Sequence, residues 1–144
     1  MDYFASFDIS ASGMAVQKVK LDIVALNLAN VNTTRGVSGG PYQPKQVIMG
    51  ERTQSSFESQ LSAYHSQLGG VEVVGIQATI SEPRLVHDPD HPDANEDGMV
   101  AFPNINPVSE MVHLMEATRA YEANVRAVNA AKTMALRALD IGER

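Results

Sequence analysis

Cysteine and tryptophan are both absent from this chain, and only 6% of its residues are aromatic. Without cysteine the chain can form no disulfide, no thiolate zinc site and no cysteine nucleophile. Basic residues are also scarce, because eleven Lys and Arg stand against seventeen Asp and Glu for a net charge of −6. The chain therefore lacks the basic footprint that general nucleic-acid binding requires.

Long apolar runs are missing as well. No stretch approaches the ~20 apolar residues of a membrane helix. The first basic residue is Lys18, and Asp2 and Asp8 stand where a cleavable signal peptide carries its positive charge. We therefore expect that a chain leaving the cytosol does so without a cleaved signal peptide.

Motifs for catalysis or metal binding are incomplete. Residues 93–98 fit the first half of a calcium-binding loop, D-x-N-x-D-G, but its twelfth position is Asn104 instead of the bidentate Glu. The histidines lack metal-ligand spacing, and neither a nucleophile elbow nor a phosphate loop occurs. We expect no catalytic residue, no cofactor, no metal site and no enzymatic activity.

The N-terminal pattern predicts a helix over residues 7–32 that carries two apolar stripes on nearly opposite sides. One stripe repeats at sevens and comprises Phe7, Met14, Leu21 and Leu28, joined by Val24 and Val31. The other comprises Ile9, Val16, Val19, Ile23 and Leu26. A helix with two apolar stripes is expected to be contacted from two directions.

The C-terminal pattern predicts a second helix over residues 107–141, roughly 50 Å long. It contains no internal Gly or Pro, Pro107 suits a first turn, and Gly142 suits a C-cap. One predicted seam has the 3-and-4 spacing of a coiled coil and comprises Met111, Leu114, Thr118, Tyr121, Val125, Val128, Ala135 and Leu139. A second, Ala-rich seam comprises Ala117, Ala120, Asn124, Ala127, Ala131, Met134, Ala138 and Ile141.

The middle of the chain reads as small and β-rich. A loop rich in Gly and Thr follows the first helix, residues 46–49 predict a short strand, and residues 71–80 predict the best strand. Residues 84–87 are expected to pair with 99–102 across an acidic turn, and the Ser- and Gln-rich residues 53–70 to form a mobile insert. The predicted fold is mainly α, with an N-terminal assembly helix (1–35), a β-rich middle (36–106) and a C-terminal assembly helix (107–144).

The two helices carry more apolar surface than one pairing can cover. Because large exposed apolar surfaces are rare on soluble monomers, we expect the protein to assemble through both ends, its helices packing as a coiled coil or helical bundle. Asparagines within these helices suit either capping or the setting of helix register. For Asn27, Asn30 and Asn124 we favour register.

Two short motifs resemble the signatures of flagellar axial proteins, which comprise the rod, hook and hook-associated families. They are Asn27-Leu28-Ala29-Asn30 in the first helix and Arg119-Ala120-Tyr121-Glu122-Ala123-Asn124 in the second. Further segments resemble the proximal rod family, and these are residues 33–35, 39–42, 69–73, 88–94 and 102–108.

The resemblance implies a structural subunit of the flagellar proximal rod, which polymerises helically through its terminal helices into the drive shaft between motor and hook. Implied partners are copies of itself, other rod proteins, the membrane-ring adaptor and the type III export apparatus, at the basal body across the periplasm. The candidate assembly residues of the first helix are Met14, Leu21, Val24, Asn27, Leu28, Ala29 and Asn30. Those of the second helix are Met111, Leu114, Ala120, Tyr121, Asn124, Val125, Ala127, Val128, Ala131 and Leu139.

Two other functions, a helical adaptor or chaperone and an enzyme, fit the sequence less well. A soluble helical adaptor or export chaperone would not need the β-rich middle or the paired terminal signatures. An enzyme, such as a wall hydrolase, would need a carboxylate pair in a pocket, and the acids of residues 88–97 lie in a polar turn.

Overall fold

The computed structural model of the protein describes residues 3–36, 39–52 and 69–142. Its elements, in chain order, are α1 (Tyr3–Ala29), β1 (Lys45–Glu51), β2 (Val71–Ala78), β3 (Arg84–His87), β4 (Met99–Phe102) and α2 (Pro107–Gly142). The mainly α fold with a small β-rich middle is thus confirmed. The insert predicted at 53–70 lies outside the described residues, apart from Gly69 and Gly70.

Helix α1 begins and ends earlier than the predicted range of 7–32. Its last turn tightens, because the Val31 N–H donates to the Leu28 carbonyl and the Thr33 N–H to the Asn30 carbonyl, three residues back. The Asn30 side chain also donates to the Leu26 carbonyl at 2.8 Å. These local bonds satisfy carbonyls that a longer helix would have used, so the helix stops at Ala29.

Helix α2 begins where the sequence predicts, for a visible reason. The Asn106 Oδ1 accepts from the backbone N–H groups of Val108 at 3.0 Å and Ser109 at 3.4 Å, which is the bonding of an N-cap residue. Pro107 follows as the first helical residue, where its missing N–H costs nothing. Gly142 is the last helical residue, without the positive φ of a C-cap glycine, so that prediction is wrong.

The two helices pack against each other as an antiparallel hairpin. Asn27 contacts Glu110 at one level, and Gly13 lies against Asn124 at another, so fourteen residues along α1 match fourteen along α2. Extending this register ten residues places Tyr3 level with Met134. Helix α2 continues to Gly142, and its last eight residues extend ~12 Å past that level.

The contact with α1 lies between the two seams predicted for α2. Two alanines of the second seam, Ala117 and Ala131, are buried. Half-buried members come from both seams, namely Leu114, Thr118, Val125, Val128 and Ala135 from the first and Ala120 and Asn124 from the second. The seams therefore form the two flanks of one packing stripe, because the small alanines at its centre let α1 approach closely.

The strands form two separate antiparallel hairpins. Strand β1 pairs with β2 from Lys45–Ala78 to Glu51–Val71, with a bulge between Ile48 and Met49. Strand β3 pairs with β4 from Arg84–Phe102 to His87–Met99, as predicted. The Asn95 side chain organises the turn between them, accepting from the Asp97 and Met99 N–H groups at 3.1 and 2.8 Å.

Helix α1 lies between α2 and the β1–β2 hairpin, so it is contacted from two directions as expected. On the sheet side, the Ser12 hydroxyl accepts from the Val71 N–H at 3.2 Å, and Arg52 lies 3.4 Å from the Asp8 carboxylate. The buried apolar side chains are few and small, and they are Val16, Val24, Val100, Ala117 and Ala131.

None of the helices in the described ranges combines the length and apolar character needed to cross a membrane.

Candidate assembly site

The most buried polar side chain of the described residues is Asn27, which is 3% exposed. Its Nδ2 donates to the Lys45 carbonyl at 2.8 Å and to the Glu110 Oε2 at 3.2 Å. Its Oδ1 accepts from the Tyr42 hydroxyl and from the Lys45 N–H, both at 2.9 Å. This group of four residues, the Asn27 junction, ties the end of α1 to the start of β1 and the start of α2.

Charge at the junction is concentrated on Glu110. Its Oε1 lies 3.6 Å from the His113 Nδ1 one turn along α2, and its Oε2 accepts from Asn27. Burial raises the pKa of Tyr42 above its ordinary value of 10.0, and the negative charge of Glu110 raises it further. The phenol therefore stays protonated and continues to donate to Asn27 well above neutral pH.

The junction borders an open cleft of about 450 Å³ between α1, β1 and the start of α2. Its lining mixes apolar side chains, such as Ile23, Val24 and Val47, with charged ones, such as Lys20 and Glu110. Among the residues that the structure describes, no three acidic or histidine side chains are grouped so as to hold a metal ion. The cleft therefore contains apolar contact surface and single charges rather than a ligand set.

The acidic turn uses its own oxygens internally. The Asn95 Oδ1 is taken by two backbone N–H groups. The Asp93 carboxylate accepts from the Thr34 hydroxyl at 2.8 Å and lies 3.6 Å from the Arg35 guanidinium. Two oxygens that a calcium loop would need thus stabilise the turn and fasten it to the loop that follows α1.

The three asparagines predicted to set helix register, Asn27, Asn30 and Asn124, play different parts. Asn27 bridges three segments, and Asn124 lies in the helix interface, where a Cβ at Gly13 would come within 2.9 Å of its Nδ2. Both positions link the two helices at a defined level. Asn30, in contrast, bonds only locally, to the Leu26 carbonyl and the Thr33 hydroxyl, so capping rather than register describes its bonds.

The predicted assembly residues differ in how far the hairpin covers them. Val24, Asn27 and Ala131 are buried within the chain. Half-buried are Met14, Leu21, Leu28, Asn30, Leu114, Ala120, Asn124, Val125 and Val128. Exposed are Ala29, Met111, Tyr121, Ala127 and Leu139. The buried members stabilise the hairpin itself, while the exposed ones are open to another molecule.

One apolar surface of α2 was missed by the sequence reasoning. Val108, Met111, Val112 and Met115, here called the base patch, lie on the side away from α1 and are 69, 51, 43 and 51% exposed. Their spacing of three, four and seven residues is the signal that would have identified them. Only Met111 was assigned to a seam, because the regular seams of the longer helix dominated the pattern.

A second apolar surface lies at the other end of α2. Residues 135–142, here called the overhang, extend beyond the level of Tyr3 and expose Leu136, Leu139 and Ile141 by 53, 68 and 77%. Leu139 continues the stripe that faces α1 at lower levels. The hairpin thus leaves apolar side chains uncovered at both of its ends, as is typical of protein interaction surfaces.

Comparison with known proteins places these helices in recognised families. Residues 7–35 match the family described as flagella basal body rod protein. Residues 96–141 match the C-terminal family of flagellar basal body rod FlgEFG proteins. Both matches fall on the helices that form the hairpin and on the junction that joins them.

Individual relatives narrow this class to one kind of rod protein. The chain is 45% identical to the flagellar basal-body rod protein FlgC of Bacillus subtilis, covering 99% of this chain and all of the relative. It is 37% identical to FlgC of Salmonella typhimurium, over 95% of this chain and 96% of that one. FlgC of Borreliella burgdorferi is 35% identical, with 98% of each chain covered.

The chain therefore belongs to the FlgC family of flagellar basal-body rod proteins. It is a structural subunit and not an enzyme, which confirms the expectation from its missing catalytic motifs. Membership also decides against a soluble adaptor, an export chaperone or a wall hydrolase. It places the protein in the flagellar basal body.

Proposed function

We propose that this protein builds the proximal rod by helical polymerisation through α1 and α2, and that the resulting shaft transmits torque from motor to hook. The observation that carries the proposal is the uncovered apolar surface at both ends of a helix pair that matches rod-protein families. Neighbouring helices in a coiled coil or bundle would remove that surface from water, at roughly 25 cal/mol per Å² of apolar area.

Burial within the chain divides the candidate residues by role. Val24, Asn27 and Ala131 act inside the subunit by fixing the hairpin and its junction. Ala127 and the exposed flanks of the packing stripe act between subunits. A small side chain such as that of Ala127 allows another helix to approach, so a bulky charge at this position would hold a neighbour away.

The proposed partners are copies of this chain, other rod proteins and the membrane-ring adaptor at the rod base. Export by the flagellar type III apparatus, without a cleaved signal, would deliver the chain to a rod that crosses the periplasm.

Complementation with a matched pair of variants tests the proposal. The full chain is expressed in a motile bacterium whose own gene for this rod subunit is deleted, and swimming and isolated basal bodies are examined. Wild type is expected to restore both. Ala127→Glu is expected to abolish incorporation, whereas Asn129→Glu, two residues along and on another face of the same helix, is expected to restore assembly. Both residues are exposed in the hairpin, and Glu is a good helix former, so neither change should unfold the chain.

Two results distinguish an error in the proposed function from an error in the predicted assembly face of α2. If wild type is secreted but absent from basal bodies, the proposed function is wrong. If Ala127→Glu is incorporated as well as Asn129→Glu, the rod assignment stands and the predicted assembly face is wrong.

A further inference from the structure

The base patch and the overhang lie at opposite ends of one continuous helix. Met111 and Leu139 are 28 residues apart along α2, which separates them by ~42 Å. The overhang of a chain therefore cannot reach the base patch of the same chain. A contact between the two surfaces is necessarily a contact between two molecules.

The charges of α2 are divided between its two halves. Residues 107–124 carry Glu110, Glu116, Glu122 and a single base, Arg119. Residues 125–142 carry Arg126, Lys132, Arg137 and a single acid, Asp140. The formal net charge of the first half is −2 and that of the second is +2. Glu122 and Arg126 pair with each other at the midpoint, 3.6 Å apart, so one excess negative charge remains nearer the base patch and one excess positive charge nearer the overhang. An acidic end beside one apolar surface and a basic end beside the other are complementary.

We propose that the base patch of one copy receives the overhang of a second copy of this chain. The proposal rests on the proposed function and names the contact through which subunits join end to end. Leu136, Leu139 and Ile141 would pack between Val108, Met111, Val112 and Met115, with Arg137 beside Glu116. The side chains of both apolar surfaces, each at least 43% exposed in the single chain, would then be covered.

Charge favours this pairing over a two-fold one. Two base patches facing each other would bring Glu116 against its own copy, and two overhangs would bring Arg137 against its own copy. A contact between unlike surfaces avoids both repulsions. Because each copy keeps one unused surface, such a contact leaves both ends free to add a further copy instead of closing into a two-fold dimer.

Cysteine cross-linking tests the contact directly, since the natural chain contains no cysteine. Purified Met111→Cys and Leu139→Cys chains are mixed in equal amounts under mild oxidation. Their Cα atoms must approach within about 7 Å for a disulfide to form. The mixed dimer is expected to exceed, by tenfold or more, the product of Met111→Cys with Asp97→Cys, whose cysteine lies in the exposed acidic turn.

A charge exchange provides a second measurement that does not depend on the apolar packing. Glu116→Lys in the Met111→Cys chain is expected to lower the cross-link yield about threefold, as suits an exposed ion pair. Arg137→Glu in the Leu139→Cys chain is expected to restore it. Both side chains are exposed or lie in the overhang, and circular dichroism of each chain confirms that its helices remain.

Several results would overturn the inference. They are a cross-link yield from the control pair equal to that of the test pair, a dominant disulfide between two Met111→Cys chains, or a yield that Arg137→Glu does not restore. A cross-link in isolated basal bodies that joins the base patch to a different rod protein would replace the second copy as occupant. If wild type complements the deletion while none of the cross-links form, the contact is wrong and the proposed function is untouched.

Discussion

Replacing Asn27 should destabilise the hairpin more than any other change of one polar side chain in the described residues. Asn27→Ala removes two donated and two accepted hydrogen bonds at once. It leaves the Lys45 backbone groups and the Tyr42 hydroxyl without their partner. The Asn27→Asp variant keeps the accepting oxygen but loses the donor, and it places a second carboxylate beside Glu110.

The size of the stability loss depends on how many of the lost hydrogen bonds water can replace. An unsatisfied buried polar group costs ~1–3 kcal/mol, but Lys45 is exposed and Tyr42 only half-buried, so water replaces part of the loss. We expect Asn27→Ala to lower the free energy of unfolding by ~2–4 kcal/mol. At pH 7 Asn27→Asp should lose a further ~1–2 kcal/mol through repulsion from Glu110. That excess should shrink on acidification, because protonation of one of the two neighbouring carboxylates removes the repulsion and restores a donor.

Urea unfolding of the purified chain, followed by circular dichroism, measures both free energies. Asn129→Ala, an exposed Asn on the same hairpin, serves as the matched control and should change stability by less than ~0.5 kcal/mol. A loss below about 1 kcal/mol for Asn27→Ala would contradict the role given to the junction. So would an Asn27→Asp chain whose stability relative to Asn27→Ala does not improve on acidification.

Three further predictions concern single contacts. Gly13→Ala should be nearly neutral in urea unfolding, because only the end of the Asn124 side chain must move and helix propensity improves by ~1 kcal/mol. Gly13→Leu should cost ~1–3 kcal/mol of stability by forcing the helices apart. Equal stabilities of the two variants would refute the close approach of the helices. Glu110→Gln should bring the pKa of Tyr42, followed by phenolate absorbance, part of the way back toward 10.0, since burial remains the larger cause. Because the pKa of Tyr42 is raised in the folded chain, its contribution to stability is complete below pH 10 and is lost as the pH rises through the folded pKa. An unchanged Tyr42 titration in Glu110→Gln would exclude an effect of the Glu110 charge on that pKa. Asn95→Ala should cost ~1 kcal/mol and raise amide exchange at Asp97 and Met99, whereas unaltered exchange there would show that its side chain does not hold the turn.

Much of the fold follows from local sequence signals. Pro107 after Asn106 marks the start of α2, and the hairpin of residues 84–87 with 99–102 follows from two short apolar runs around a polar turn. Local signals were weaker for β1, whose pairing with β2 spans residues 52–70 and therefore depends on contacts distant in the sequence. The strand is accordingly longer than the predicted residues 46–49.

The assembly site was predictable only in part, because periodicity identifies apolar faces without saying which partner covers them. The two seams of α2 were correctly recognised as apolar, yet the contact with α1 uses members of both, with Ala117 and Ala131 of the second seam buried most deeply. Asn27 was singled out by its motif, but its partners Tyr42 and Lys45 come from a loop and a strand. No spacing rule connects those positions, so only the folded chain brings them together.

The position of the Asn27 junction also makes the hairpin mechanically unequal along its length. Within the described residues, the Asn27–Glu110 bond is the only hydrogen bond between side chains of α1 and α2, and it lies at one end. Toward Tyr3 the helices are joined by close packing, such as that of Gly13 against Asn124, without a hydrogen bond between their side chains in the described residues. The helix pair is therefore held more firmly at the Asn27 end, its base, than at the Tyr3 end, its tip. Strain from a rotating shaft would be taken up by bending at the tip, while the angle between the helices and the β-rich middle stays fixed.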